Sequence, residues 1–226
     1  MATNNSIRLT EAQKDAVEST ASKIAVIAGP GSGKTRVLTE RICHLVQVKQ
    51  QDPKRILAIS FSSKAAGEVA KRLTERLGNA AYQVTVKTFH SFGLGLIRSN
   101  FDLLGFQEDV DIISQSGRYQ LLRRLMQEEV KRHGYSRTVS LDKIQETAQV
   151  ISRMKGGFEE SNIHYRRLFE RYNEELHRSN QVDFDDMILQ ARKLLMGNEE
   201  IRSAMQQKYD HVMVDEVQDR ISTRRI

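Results

Sequence analysis

Short apolar runs alternate with amphipathic stretches over the first part of the chain. Runs rich in Ile and Val and bounded by polar or turn residues predict strands at Lys23–Ala28, Arg55–Ser60 and Gln83–Lys87. Between them, apolar residues recur at helical spacing over Thr35–Lys49 and Ser63–Leu77. Alternation of strand and helix predicts parallel strands joined by right-handed crossovers, and therefore an α/β fold.

The pattern becomes entirely helical from about Ser114 to Gln181. Four amphipathic segments with Gly or Asn at the breaks predict helices at Ser116–His133, Ser140–Met154, Glu160–Ser179 and Asp183–Met196. A last apolar run, His211–Val214, predicts one more buried strand. The sequence thus predicts a parallel sheet that is interrupted by an all-helical insertion and then resumed.

Composition narrows the class of protein. The 226 residues are 39% hydrophobic and 28% charged, as in folded proteins of one or two domains at roughly 150 residues each. The single Cys43 cannot form an internal disulfide, and no apolar segment is long enough for a signal sequence or a membrane span. We therefore expect a soluble intracellular protein without a membrane partner, nuclear in a eukaryote or cytoplasmic in a bacterium. The net charge of +6 suits a polyanionic partner, although many proteins of this charge bind none.

The sharpest chemical signal is AGPGSGKT, which follows the first predicted strand and opens the first predicted helix. Its glycines let several backbone N–H groups reach phosphate oxygens, and the helix N-terminus adds positive potential. Lys34 would reach the β- and γ-phosphates, and the Thr35 hydroxyl would take a Mg²⁺ position. The predicted nucleotide-binding residues are Ala28, Gly29, Pro30, Gly31, Ser32, Gly33, Lys34, Thr35 and Arg36. The alternative is an ordinary Gly-rich turn between a strand and a helix.

Two acids end the last predicted strand, in the segment HVMVDE. In P-loop enzymes an acid at such a strand end holds Mg²⁺, and a neighbouring carboxylate orients the attacking water. Asp215 is therefore the candidate metal residue together with Thr35, and Glu216 and Lys34 are the candidate catalytic residues. Without the P-loop upstream, acids favoured at a helix N-terminus would explain the pair equally well.

Taken in order along the chain, these motifs resemble those of the UvrD/Rep/PcrA type of superfamily 1 DNA helicases. The segment LTEAQKDAV resembles the family's adenine-reading motif, with Gln13 as the base contact. ILAISFSSKAA and TFHSF resemble its DNA-gripping segments, and DEVQD resembles its DExQD box. The resemblance covers nearly the whole chain, although Ala28 stands where the strict P-loop pattern has Gly.

The resemblance implies a fold, an activity and partners. It implies a RecA-like P-loop NTPase domain over residues 1–103 and 183–226, with the helical insertion at 104–182. It implies the ATP-binding part of a helicase that uses ATP and Mg²⁺ to move 3′-to-5′ on single-stranded DNA and to open duplex junctions. The DNA contacts that it implies are Phe61, Ser62, Lys64, Thr88, Phe89 and His90.

The sequence also departs from the family pattern. Seven residues follow Asp219, and no segment corresponds to the family's γ-phosphate-sensing strand or to its second RecA-like domain, which would complete the site. We therefore expect an incomplete sheet with unpaired inner edges, a longer parent helicase, and little or no DNA-stimulated ATP hydrolysis by this chain.

Several residues keep a second interpretation. Phe61 at a strand end could belong to the core, His90 could be a structural histidine, and Gln13 could be an exposed helical residue. A helix N-cap explains the acids of Asp183–Asp186, and no His–Cys spacing suggests zinc. The competing functions are a non-catalytic nucleotide- or DNA-binding module and an unrelated P-loop ATPase.

Overall fold

The structure is a computed structural model that describes residues 9–135, 138–158, 160 and 162–216. The helices are α1 (Glu11–Glu18), α2 (Lys34–Gln47), α3 (Ser63–Leu77), α4 (Phe89–Ser99), α5 (Gln115–Arg132), α6 (Leu141–Lys155), α7 (Ile163–Arg178), α8 (Phe184–Gly197) and α9 (Glu199–Lys208). The strands are β1 (Ile56–Ser60), β2 (Thr85–Thr88), β3 (Asp111–Ile112), β4 (Gln181–Val182) and β5 (His211–Val214).

The chain divides into two compact units. The first unit comprises residues 1–89 and 203–226, and the second comprises residues 90–202. The boundaries of the second unit thus lie outside the helical insertion predicted at residues 104–182, because α4 and α8 also belong to the second unit. The predicted limits of the RecA-like domain and its insertion stay a prediction.

A three-stranded parallel sheet in the order β2–β1–β5 forms the centre of the first unit. Leu57 in β1 pairs with Thr85 on one side and Val212 on the other. Every residue of β1 is buried, and α2 and α3 pack their apolar faces against Ile56 and Ala58 on one side of this strand. Cys43 lies in that core, where burial raises the pKa of its thiol to about 11, as suits a small packing residue. The predicted α/β class with a small parallel sheet is confirmed.

The prediction of a strand at Lys23–Ala28 is wrong. This segment contains no strand, and Ile27 is 96% exposed although its sequence is strongly apolar. A strand needs a neighbour to complete its hydrogen-bond ladder. Within the described residues, the sheet consists of β2, β1 and β5, and none of these strands pairs with the segment.

The other predicted elements of the first unit are found close to their predicted limits. α3 and β5 have the predicted bounds, whereas α2, β1 and β2 differ by one or two residues at their ends. The prediction that β5 is buried is wrong: Val212 is 59% exposed, because β5 is paired with β1 on one side only within the described residues. α1, α4 and α9 were not among the predicted elements. The elements that were predicted, α2, α3, β1, β2 and β5, are those with a clear apolar pattern in the sequence.

Three long helices, α5, α6 and α7, form the main core of the second unit. Their buried side chains meet in one cluster around Tyr172, which includes Leu122, Leu125, Ile144, Ile151 and Leu176. The predicted helices of this region are confirmed, and each of their ends differs from the prediction by one to three residues. Residue 161, inside the predicted segment Glu160–Ser179, lies outside the described residues. The two-residue strands β3 and β4 pair in parallel, and they are too short to leave a sequence pattern.

Gly93 lets α4 approach α8 closely within the second unit. A Cβ at Gly93 would lie far inside the van der Waals contact distance from the Met187 carbonyl oxygen and 3.2 Å from the Cβ of Ala191. Gly93 is buried in the middle of α4, where glycine otherwise weakens a helix. The packing of α4 on α8 therefore requires the absence of a side chain at this position.

We expect Gly93→Ala to lower the melting temperature of the chain by several degrees. The added methyl group meets backbone, and overpacking of this kind costs roughly 1–3 kcal/mol. Gly67→Ala is the matched control, because nothing lies within 4 Å of that Cβ in the middle of α3. The control is expected to gain up to about 1 kcal/mol from helix propensity. Equal melting temperatures for the two variants, measured by circular dichroism, would contradict the close approach.

Candidate functional site

The Gly-rich loop leads directly into α2. Gly31 and Gly33 have φ values of 73° and 86°, in the left-handed region that glycine reaches without strain. Gly33 is the N-cap of α2, and as a glycine it has no side chain that could cap this helix. The N–H groups at a helix N-terminus form a site suited to an anion such as phosphate.

Two side chains of the loop bond to its own carbonyl groups. The Ser32 hydroxyl donates to the Gly29 carbonyl oxygen at 2.7 Å. The Lys34 ammonium donates to the carbonyl oxygens of Ala28 at 3.3 Å and Gly29 at 3.2 Å. Lys34 thus lies over the loop, where phosphate oxygens would be the stronger, charged acceptors.

Gln13 links α1 to the same loop. Its carbonyl oxygen accepts from the Thr10 N–H at 3.0 Å, as part of the capping box of α1. Its amide group donates to the Ser32 carbonyl oxygen at 3.0 Å. A Cβ at Gly33 would lie 3.2 Å from the same Gln13 nitrogen, so α1 and the loop are in close contact.

Arg41 holds α1 against α2. Its guanidinium group donates from one nitrogen to the carbonyl oxygens of Ala16 at 3.1 Å, Val17 at 2.9 Å and Ser19 at 3.1 Å. These carbonyls lie at the C-terminal end of α1, where the helix has no partners for them and a cation is favoured. The place of Gln13 beside the loop thus depends on a residue of α2 that the sequence motifs do not include.

The two predicted metal ligands meet. The Thr35 hydroxyl donates to a carboxylate oxygen of Asp215 at 2.9 Å, across 180 residues of sequence. Asp215 is 5% exposed and directly follows β5, and its N–H donates to the Ile59 carbonyl oxygen at 2.8 Å. A hydroxyl and a carboxylate are oxygen ligands of the kind that Mg²⁺ takes together with substrate phosphates. The donor set therefore fits the predicted ion.

Glu216, the predicted base, follows Asp215 with a φ of 55°. This left-handed conformation is uncommon for a residue with a Cβ and costs about 1 kcal/mol or more. The backbone thus turns sharply at the residue after the candidate metal ligand. Val217, Gln218 and Asp219 of the predicted DExQD box lie outside the described residues.

Most of the predicted DNA contacts lie at the carboxyl edge of the same sheet. Ser60 and Thr88 are paired in register and end their strands together, so Phe61 and Phe89 follow at one edge. Phe61 is 45% exposed, which excludes its interpretation as a core residue.

Two more of the predicted DNA contacts lie at the start of α3, next to this edge. Ser62 caps α3 by accepting from the Ala65 N–H, and Lys64 is exposed in the first turn. Thr88 is buried. Ligands of α/β sheets bind at this edge.

His90 belongs to the second unit and stacks on Phe184, the first residue of α8. The two ring centroids are 3.6 Å apart and the rings are inclined by 21°. Phe184 is nevertheless 58% exposed, so one side of the stack faces solvent. The stack gives His90 one structural partner, and its role in DNA binding stays a prediction.

A buried ionic cluster beside this stack was missed by the sequence analysis. The Lys155 ammonium contacts the carboxylates of Asp183 at 2.9 Å and Asp186 at 2.6 Å. The predicted N-cap is confirmed, because Asp183 and Asp186 form a capping box at the start of α8. A lysine at the end of a helix pattern gives no signal that it is buried, so only the acids were noticed.

Among the described residues, no group of three or more His, Cys, Asp or Glu side chains could hold a metal ion. None of the helices in this part of the chain is long and apolar enough to cross a membrane.

Comparison with known proteins gives consistent matches. A family model for the UvrD/REP helicase N-terminal domain matches residues 9–223. The chain is 31% identical over 218 residues to the ATP-dependent DNA helicase PcrA of Bacillus subtilis strain 168, covering 93% of this chain and 29% of that protein. It is 31% identical over 227 residues to the ATP-dependent DNA helicase Rep of Escherichia coli K12, covering 94% and 32%. The chain spans about a third of the length of these relatives.

We expect Arg41→Met to accelerate hydrogen exchange in α1 about tenfold or more, because hydrogen bonds from a charged group contribute roughly 1.5–3 kcal/mol. Exchange is measured by mass spectrometry on peptides that cover Glu11–Glu18. Lys71→Met is the control, because Lys71 is exposed on α3 and its ion pair with Glu75 spans 4.0 Å. Unchanged exchange in α1 would show that Arg41 does not hold this helix.

Proposed function

The chain belongs to the UvrD/Rep helicase family, and on this basis we propose that it is the ATP-binding part of a DNA helicase with a RecA-like fold. The proposed reaction is hydrolysis of ATP with Mg²⁺, coupled to 3′-to-5′ movement on single-stranded DNA and opening of duplex junctions. The direction is carried over from the family resemblance. A second RecA-like domain is proposed to complete the nucleotide site.

The observation that carries this proposal is the hydrogen bond between Thr35 and Asp215. It joins the first turn of α2 to the end of β5 at 2.9 Å, in a site where Asp215 is almost fully buried. A buried carboxylate is costly unless it is paired or binds a cation. This arrangement supports Thr35 and Asp215 as the residues that would hold Mg²⁺.

The side chains around the loop have separate proposed roles. The N–H groups at the start of α2 would bind phosphate oxygens, and Lys34 would exchange its bonds to the loop carbonyls for the β- and γ-phosphates. A bound Mg²⁺ would neutralise charge on the β- and γ-phosphates. Glu216 would accept a proton from the attacking water.

Gln13 retains groups for reading adenine. Its amide has two N–H donors and its oxygen has two lone pairs, of which one of each is used by Ser32 and Thr10. The remaining donor and acceptor match the N7 acceptor and N6 donor of adenine. Gln13 could therefore contact the base without releasing the loop.

The exposed ring of Phe61 supports the proposed contact with single-stranded DNA. Stacking of a base on an aromatic ring is tolerant of sequence, as a motor that moves along any strand requires. Phe61 lies at the carboxyl edge of the sheet, as does Asp215, because both follow parallel strands. The proposed strand contact and the proposed nucleotide site are thus built on neighbouring strands of one sheet.

Nucleotide binding tests the first half of the proposal. Titration with a fluorescent ATP analogue and Mg²⁺ is expected to give an affinity that Lys34→Ala lowers about tenfold or more, because charge-assisted bonds to phosphate are lost. Asp215→Asn is expected to reduce the dependence of binding on Mg²⁺. Lys49→Ala, an exposed lysine just after α2, is the control. If Lys34→Ala binds as tightly as the control, the loop is not a phosphate site.

Binding of a fluorescent oligothymidine tests the second half. Phe61→Ala is expected to weaken binding about 5- to 100-fold, since stacking contributes roughly 1–3 kcal/mol per base. Tyr82→Ala is the matched control: Tyr82 is 77% exposed and precedes β2, so it lies towards the opposite edge of the sheet. Equal anisotropy titrations for the two variants would favour a P-loop ATPase that does not act on DNA.

A further inference from the structure

Lys155 is a buried lysine at the end of α6. It is 5% exposed, and its ammonium contacts the carboxylates of Asp183 at 2.9 Å and Asp186 at 2.6 Å. The ring of Tyr172 lies 5.1 Å away, and the Tyr172 hydroxyl donates to Asp183 at 2.9 Å. Arg118, from α5, adds a second cation 3.9 Å from Asp183. Four helices of the second unit thus meet around two buried acids.

The two acids fix the start of α8. One oxygen of Asp183 accepts from the Asp186 N–H at 2.9 Å, and one oxygen of Asp186 accepts from the Asp183 N–H at 3.2 Å. Lys155 contacts the second oxygen of Asp183 and the same oxygen of Asp186. The ammonium therefore closes a ring of contacts around the capping box.

α8 in turn positions α4. Phe184 directly follows the capping Asp183 and stacks on His90 at the start of α4. One turn further along each helix, Gly93 lies against the Met187 carbonyl group. Two successive contacts thus tie the beginnings of α4 and α8 together. A shift of the start of α8 would move the ring of Phe184 and release His90.

The charges of the cluster favour a positioning role over a purely stabilising one. Burial raises the pKa of Asp186. Burial is also the largest single influence on Asp183, but Lys155, the Asp186 N–H and Arg118 together outweigh it and lower the pKa of that carboxyl group. Buried ion pairs are often no more stabilising than apolar residues of the same size, but the loss of one partner leaves an uncompensated charge. What such a cluster provides is one fixed geometry.

We propose that Lys155 is a positioning residue for DNA binding: through the capping box of α8 it holds Phe184 against His90, and so fixes the orientation of the imidazole that is the proposed DNA contact. This inference rests on the proposed function, in which His90 contacts single-stranded DNA. It adds a residue on α6 that none of the helicase motifs found in this sequence contains.

The histidine resonances of the full 226-residue chain test the positioning directly. The Cε1–H signal of His90, assigned with His90→Gln among the six histidines, is expected upfield because the ring of Phe184 covers the imidazole. Phe184→Leu gives the position of the unstacked signal. Lys155→Met is expected to move the signal to that position. Lys143→Met is the matched control, since Lys143 is an exposed lysine near the start of the same helix.

Rescue distinguishes positioning from general loss of stability. Lys155→Met with Asp186→Asn removes one buried charge of each sign, and the amide oxygen can still accept from the Asp183 N–H. This double variant is expected to restore the upfield signal. Oligothymidine binding is expected to fall severalfold in Lys155→Met and to recover in the double variant, with the Lys143→Met control unchanged.

Two results would overturn the proposal: an upfield His90 signal that persists in folded Lys155→Met, or a double variant that regains stability without regaining the signal. If Lys155→Met does not fold, Lys155→Arg and the double variant are compared in the same way. Failure of the unaltered chain to bind oligothymidine would reject the proposed function, whereas the histidine signal would still decide whether Lys155 positions His90.

Discussion

The parallel ladder of β1 with both β2 and β5 is the constraint on which the first unit depends. Because β1 is paired on both sides, the ends of the three strands are brought to one edge, where Phe61, Phe89 and Asp215 follow in the chain. The backbone bond from the Asp215 N–H to the Ile59 carbonyl oxygen extends this ladder by one residue. The meeting of Thr35 and Asp215 is therefore a result of strand register and of the start of α2. A slip of β5 by one residue would turn the carboxylate to the other face.

Buried charge is used differently in the two units. In the first unit a nearly buried carboxylate has a neutral hydroxyl as its partner, which leaves it suited to a cation from solution. In the second unit two buried carboxylates already share the ammonium of Lys155, with Arg118 nearby. The first arrangement is typical of a binding site, and the second of a device that fixes helix geometry.

Local patterns predicted the elements that carry their own signal. α3 and β5 were predicted at their observed bounds because periodicity and flanking polar residues define them, and the acids of α8 were recognised as an N-cap. The segment Lys23–Ala28 was mispredicted because strand formation needs a neighbour that no local pattern specifies. Lys155 and Gly93 were missed for a related reason: the burial of one and the lack of space at the other depend on α8, which lies far along the chain. The arrangement of Thr35 with Asp215 was expected from the motifs, whereas the hold of Arg41 on α1 was visible only in the structure.

The bond from Gln13 to the Ser32 carbonyl oxygen has a consequence for selectivity among nucleotides. One side chain joins the helix proposed to contact the base to the loop proposed to cradle the triphosphate. Thermodynamic linkage makes such a connection reciprocal. A purine base that hydrogen-bonds to Gln13 would favour the loop conformation that binds the triphosphate. A loop held in that conformation by the triphosphate would in turn increase the selectivity for adenine over guanine. Selectivity for the base and affinity for the triphosphate would then be set by the same conformational equilibrium.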